Sequence, residues 1–191
     1  MLSPLRQQLL GILKTKALRR LDEPVQLASG EWSSDFIDGK EALSHWADLS
    51  IACQAIVETV RSAGHTFDAA GGLTLGADAL AVGIAAAANG QWFFVRKEPK
   101  ERGTRRSIEG AQIGSGDRIL LVDDVVTTGG SILIAHDIVV ATGAKVVAAV
   151  TLVDRSEFAA QKFADLGVDY FPMATYRTLG IAPVGLGSVR A

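Results

Sequence analysis

The run Arg118-Ile119-Leu120-Leu121-Val122-Asp123-Asp124-Val125-Val126-Thr127-Thr128-Gly129-Gly130-Ser131-Ile132-Leu133-Ile134 decides how this 191-residue chain folds. Ile119 to Val122 is short, continuously apolar and partly β-branched, the pattern of a strand buried on both faces of a parallel sheet. Asp123 and Asp124 follow at the expected carboxyl end of that strand. Thr127, Thr128, Gly129, Gly130 and Ser131 then predict a turn rich in hydroxyls and glycine. From Ile132 the spacing becomes helical, with Ile132, Ala135, Ile138 and Val139 on one face.

Each part of the run suits a chemical task. A glycine turn that opens a helix presents unpaired N–H groups and the positive end of the helix dipole, a seat for phosphate. Threonine and serine hydroxyls add donors. Two adjacent carboxylates repel phosphate, so they suit ribose hydroxyls or a bound Mg²⁺. The combination predicts a sugar-phosphate site. A nucleotide-binding P-loop would need a lysine in the turn, and a dinucleotide fingerprint would place its glycines directly after the strand without an acid pair. An ordinary strand–helix turn would account for the glycines alone.

Outward from that run, strands and helices alternate. The spacing predicts an amphipathic helix over Pro4 to Leu21, a hairpin of Val25 to Ala28 with Phe36 to Asp38, and a long helix over Glu41 to Ala63. A strand over Phe67 to Ala70 leads into Gly71-Gly72, followed by a helix over Ala77 to Asn89 and a strand over Trp92 to Arg96. Pro99 to Asp117 lacks hydrophobic periodicity and reads as a loop with a short β excursion. After the central run come a strand (Val146 to Val153), a helix (Glu157 to Leu166), a last strand (Tyr170 to Met173) and a turn (Thr175 to Leu179). Such alternation predicts an α/β fold with a mainly parallel sheet flanked by helices. Ligands in these sheets sit beyond the strand carboxyl ends. The hairpin and the last strand are expected to form a small hood over that edge.

Composition fits one globular domain: 48% hydrophobic, 21% charged, net charge −2. No apolar run is long enough to span a membrane, and the first 21 residues lack the pattern of a signal peptide. The lone cysteine, Cys53, excludes an intrachain disulfide and fits a reducing cytoplasm. It falls on an apolar stripe with Trp46, Leu49, Ile56 and Val60, a core position. His45, His65 and His136 lie away from the candidate loops and read as structural or exposed.

One segment departs from the overall acidity. Arg96, Lys97, Lys100, Arg102, Arg105 and Arg106 place six of nineteen basic residues within eleven positions. A solvated polar loop is one reading. The other is a basic loop that closes over a pyrophosphate, stabilising developing charge and excluding water. Single-stranded nucleic acid would call for interleaved aromatics, and none follows Phe94. Gly71 to Gly76, including Thr74, is a second candidate loop. Arg155, after the next strand, can pair with a carboxylate.

The segment from Leu121 to Ser131 resembles the phosphoribosyl pyrophosphate (PRPP) signature of type I phosphoribosyltransferases. Leu27 to Gly30 with Ser33 to Asp38, Phe94 to Gly103, the signature and Val153-Asp154-Arg155 together resemble orotate phosphoribosyltransferases, over about residues 25 to 180. The resemblance implies one domain over 1–191, with a core of about 64–168 and a hood of about 22–40 plus 169–184. It implies transfer of the phosphoribosyl group of PRPP to orotate, giving orotidine 5′-monophosphate and pyrophosphate in pyrimidine biosynthesis. The implied setting is a Mg²⁺-using cytoplasmic homodimer whose basic loop is shared between subunits, with no nucleic-acid or membrane partner.

On the same resemblance, Arg96, Lys97 and Lys100 contact pyrophosphate, and Arg102, in place of a usual histidine, is a substrate-binding residue that keeps positive charge there. Asp123 and Asp124 hold the ribose and Mg²⁺, directly or through water. Thr127, Thr128, Gly129, Gly130 and Ser131 hold the 5-phosphate, with Thr127 between phosphate and base. Ser29, Gly30, Phe36 and Ile37 line the base pocket, and Arg155 holds the orotate carboxylate. A non-proline cis peptide is implied at Leu73–Thr74. Where many members carry a lysine, a lysine and a histidine, this chain has Ala28, Leu75 and Arg102. A transferase for another base, such as a purine, and a PRPP-binding regulator without turnover are the alternatives.

Overall fold

A computed structural model describes residues 2–27, 30–97 and 107–185. The chain opens with α1 (Pro4–Ile12), capped by the Ser3 hydroxyl, which accepts from the Arg6 N–H. A π-helical turn, Leu13–Ala17, follows, and β1 (Leu18–Gln26) pairs antiparallel with β2 (Trp32–Ile37). The first helix is therefore shorter than its sequence predicts. Leu18, Arg19 and Arg20 pair with Ile37, Phe36 and Asp35, and this ladder overrides the helical spacing.

Next come α2 (Gly39–Ala42), α3 (Trp46–Ser62), β3 (Ala69–Leu73), α4 (Asp78–Ala88), β4 (Gln91–Val95) and β5 (Ile108–Gly110). The chain continues through β6 (Arg118–Val126), α5 (Gly130–Val140), β7 (Lys145–Asp154), α6 (Ala159–Asp165), β8 (Asp169–Thr175) and α7 (Tyr176–Leu179). The expected helix over Glu41 to Ala63 is two helices, broken where His45 caps α3 by accepting from the Ala47 N–H.

Six strands form the main sheet in the order β5-β4-β3-β6-β7-β8, parallel except for β5. From the centre, β3 connects outward to β4, and β6 connects the other way to β7 and β8. The order reverses between β3 and β6, so their carboxyl ends open a crevice there. Along β6 the side chains alternate between two cores. Leu120 and Val122 join α1, α3 and α4 on one face, whereas Ile119 and Leu121 join α5 and α6 on the other. That strand is buried on both faces, as its composition predicts.

Two boundaries and one placement differ from expectation. β6 runs past the acids to Val126, because β7 supplies partners as far as Asp154. β3 contains Gly71 and Gly72, because a Cβ on Gly72 would lie 2.1 Å from the Val122 carbonyl oxygen. The last strand is not part of a hood: β8 pairs with β7 at the edge of the main sheet. The hood as observed is the β1–β2 hairpin, held to the segment after α7. The N–H of Val184 donates to the Arg155 carbonyl at 2.8 Å, and the N–H of Gly185 donates to the Glu31 carboxylate at 2.5 Å.

Candidate active site

The crevice at the β3/β6 switch is a cleft of ≈ 590 Å³. From the hood, Phe36 and Ile37 reach it. The β3–α4 loop brings Thr74, Leu75 and Gly76, β4 brings Lys97 just past its end, and Arg155 enters from the end of β7. Most of the rest of the wall is continuous chain from Asp123 through Ser131, with Leu27, Lys40, Leu73 and Ile134 completing it. Residues spread over 120 positions of sequence thus share one cavity because the topology gathers the strand ends.

The carboxylate pair sits at its centre. Asp123 is buried, and burial first, then repulsion from Asp124, pushes its carboxyl up to about 7. Oδ1 of Asp123 accepts from the Asp124 N–H at 3.0 Å, and Oδ1 of Asp124 accepts from the Val125 N–H at 2.8 Å. Both Oδ1 atoms converge on Gly76, where a Cβ would lie 2.6 Å from one and 2.8 Å from the other. Only glycine lets the β3–α4 loop come this close. Among the described residues no third acid, histidine or cysteine joins the pair in a metal cluster. Two carboxylates suit a hard divalent cation that keeps several of its waters. Asp123 and Asp124 would hold it.

Beyond the acids, Gly129 (φ +80°) turns the chain into α5, which has no side-chain cap and no acid in its first turn. Apart from the Gly130 N–H, which makes a long bond to Thr128 Oγ1 at 3.4 Å, the first N–H groups of α5 and its dipole can serve an anion. Lys162 braces this turn from α6, donating to the Thr128 carbonyl at 2.8 Å. The start of α4 contrasts with it. Asp78 lies in its first turn, and Thr74 Oγ1 donates to Asp78 Oδ2 at 2.9 Å, so that helix end carries its own anion.

Arg155 is fully buried. Its Nη1 donates to the Asp35 carbonyl at 2.8 Å, and its Nη2 to Ser33 Oγ at 3.1 Å and the Ala182 carbonyl at 3.4 Å. Its Nε has no partner among the described residues. Burial lowers its pKa, opposed by Asp35 and Glu31. The residue thus clamps the hood strand and the carboxyl-terminal segment.

Two residues named from the sequence do not line the cleft. Gly30 serves the hairpin turn, with φ +85° and its N–H on the Leu27 carbonyl at 2.8 Å. Arg96 pairs with Glu109 through Nε at 3.1 Å, because an extended chain sends neighbours to opposite sides and Lys97 takes the cleft side. Ser29, Lys100 and Arg102 lie outside the described residues. The cis peptide is Thr74–Leu75, one bond later than expected, since the Thr74 N–H still donates to the Val95 carbonyl in line with the β3 ladder. The histidines stay away: His65 faces Asp169 at 2.7 Å and His136 faces Asp137 at 3.0 Å.

Sequence reasoning missed Lys40, whose Nζ lies 2.8 Å from Asp124 Oδ2. It also missed Leu27 and Ile134 on the walls. Only proximity to the hairpin could have flagged Lys40, since its partner is 84 residues away.

A family model described as a phosphoribosyl transferase domain matches residues 48–165. The orotate phosphoribosyltransferase of Pyrococcus furiosus is 37% identical over 80% of this chain and 84% of its own length. That of Rhodopseudomonas palustris (strain TIE-1) is 36% identical over 86% and 90%. The crystal structure of Mycobacterium tuberculosis H37Rv orotate phosphoribosyltransferase in complex with PRPP is similar with a TM-score of 0.76 and 31% identity, covering 93% of this chain and 100% of that one.

Proposed function

The chain belongs to the orotate phosphoribosyltransferases of the phosphoribosyl transferase family, and we propose from that premise how its cleft carries out the transfer. PRPP and orotate are the substrates. The bond from ribose C1 to pyrophosphate breaks, a bond from C1 to a ring nitrogen of orotate forms, and orotidine 5′-monophosphate and pyrophosphate leave. The reaction belongs to pyrimidine biosynthesis.

The observation that carries this reading is one cleft with an uncapped helix start at one wall and a buried arginine under the hood at another. Thr127 to Ser131 take the 5-phosphate, and Asp123 and Asp124 take the ribose hydroxyls and Mg²⁺. Phosphate binding far from the reacting carbon then orients that carbon, so binding energy is spent on position. Phe36 and Ile37 face the base, and Arg155, at the cleft wall, takes its carboxylate. Lys97, with Lys100 by resemblance, stabilises the departing pyrophosphate, and Arg102 adds positive charge.

By the same resemblance the protein is a homodimer in which the basic loop serves the neighbouring site. No helix among the described residues is long and apolar enough to cross a membrane. A buried, unpaired Cys53 agrees with a cytoplasmic setting.

The test is a panel of bases with PRPP and Mg²⁺, scored by pyrophosphate release. Release with orotate and not with purines is expected. Release with a purine instead would reassign the acceptor, and binding of PRPP without release from any base would make the protein a regulator.

A further inference from the structure

Lys40 is the one cleft lysine outside the segment after β4, and no role falls to it from the motifs. It sits on α2, directly after the hood strand. β2 ends at Ile37, Asp38 caps α2 by accepting from the Glu41 N–H at 2.9 Å, and Gly39 packs on Asp124. A Cβ on Gly39 would stand 3.3 Å from Asp124 Cβ and 3.6 Å from Leu152 Cδ1, so the α2 backbone lies against the base of that carboxylate. Lys40 then closes the contact from Nζ to Asp124 Oδ2 at 2.8 Å.

We propose that Lys40 is a positioning residue for the transfer: it ties Oδ2 of Asp124 to the hood, fixing the ribose anchor relative to the strand that faces the base. Three residues of chain separate Phe36 from Lys40, and the ammonium bridges from their end to Asp124. The two Oδ1 atoms are turned toward Gly76 and accept from the Asp124 and Val125 N–H groups at 3.0 and 2.8 Å. Both oxygens of Asp124 are thus held, Oδ1 by the backbone and Oδ2 by the hood, which fixes the carboxylate that the ribose meets. The lysine side chain is 61% exposed, and a pair this open adds little to folding. Its value lies in geometry, where a small displacement of a reacting group costs a large factor in rate.

The inference rests on the proposed role of Asp124 as ribose anchor. Its test is steady-state kinetics with orotate, PRPP and Mg²⁺ on Lys40→Met, Lys40→Arg, Asp124→Asn and the Lys40→Met/Asp124→Asn double variant, with melting temperatures alongside. Lys40→Met is expected to lower kcat by about tenfold or more while shifting the melting temperature by no more than about 2 °C. Lys40→Arg should recover kcat to within about threefold of the parent, since charge and reach are kept. In the Asp124→Asn background Lys40→Met should cost less than about twofold, because the two act as a unit.

Unchanged kcat in Lys40→Met, losses that multiply in the double variant, or a deficit that Lys40→Arg does not relieve would each overturn the proposal. A parent protein that releases no pyrophosphate from PRPP and orotate would overturn the function itself. An active parent with an indifferent Lys40 would overturn only this inference.

Discussion

Asp123 shows how one buried group writes a pH dependence into the protein. Its carboxyl is pushed up to about 7 in the fold, because burial and then Asp124 disfavour its charge, against an ordinary value of 3.8. Below 3.8 both folded and unfolded chains hold the proton. Between the two values the folded chain holds a proton that the unfolded chain has released, so stability falls as pH rises. This contribution should lower the melting temperature of the ligand-free protein from pH 4 to pH 7, and Asp123→Asn should flatten that slope. Parallel profiles for the two proteins would refute the assignment. Arg155 belongs to the same scale. Arg155→Ala removes a buried cation with three acceptors, so a loss of about 2–4 kcal/mol in stability is expected. The KM for orotate should rise at least tenfold while that for PRPP stays within about threefold. An unchanged orotate KM would exclude the carboxylate role.

At the level of elements, β3 and β6 carry the site because their ends meet at the switch in strand order. Gly72→Ala should destabilise by about 3 kcal/mol or more, since its methyl group would run into the Val122 carbonyl and the Ala77 methyl. Denaturant midpoints of variant and parent decide this. The basic segment makes a different prediction. Lys100→Ala should lower kcat while PRPP affinity by calorimetry persists, because that charge acts on the leaving pyrophosphate; equal kcat would refute it. The central strand, the acid pair, the phosphate turn and the α/β alternation were legible because apolar runs and special turn residues are local signals. What was hidden depends on partners distant in sequence. β6 extends through Asp123 and Asp124 because β7 pairs with it, and β1 claims Leu18 to Arg20 because β2 does. Lys40 was invisible for the same reason, as was the service of Arg96 to Glu109.

Over the whole molecule, Cys53 offers a direct reading of integrity. Its sulfur lies under α4, where a Cβ on Gly83 would stand 2.5 Å away, and burial pushes its thiol up to about 12. A thiol reagent should therefore label it only through global opening. PRPP with Mg²⁺ at about one hundred times its Kd should slow labelling about a hundredfold. Labelling that ignores the ligand would mean that α3 and α4 part locally. The two-sided burial of β6 bears on how such an enzyme can change. Any shift of the strand that holds the acids must repack both layers at once, whereas the hairpin touches the cleft through a few side chains. Altered acceptor preference is thus best sought by redesigning Phe36, Ile37 and their neighbours, leaving the sugar-gripping centre as an inherited fixture.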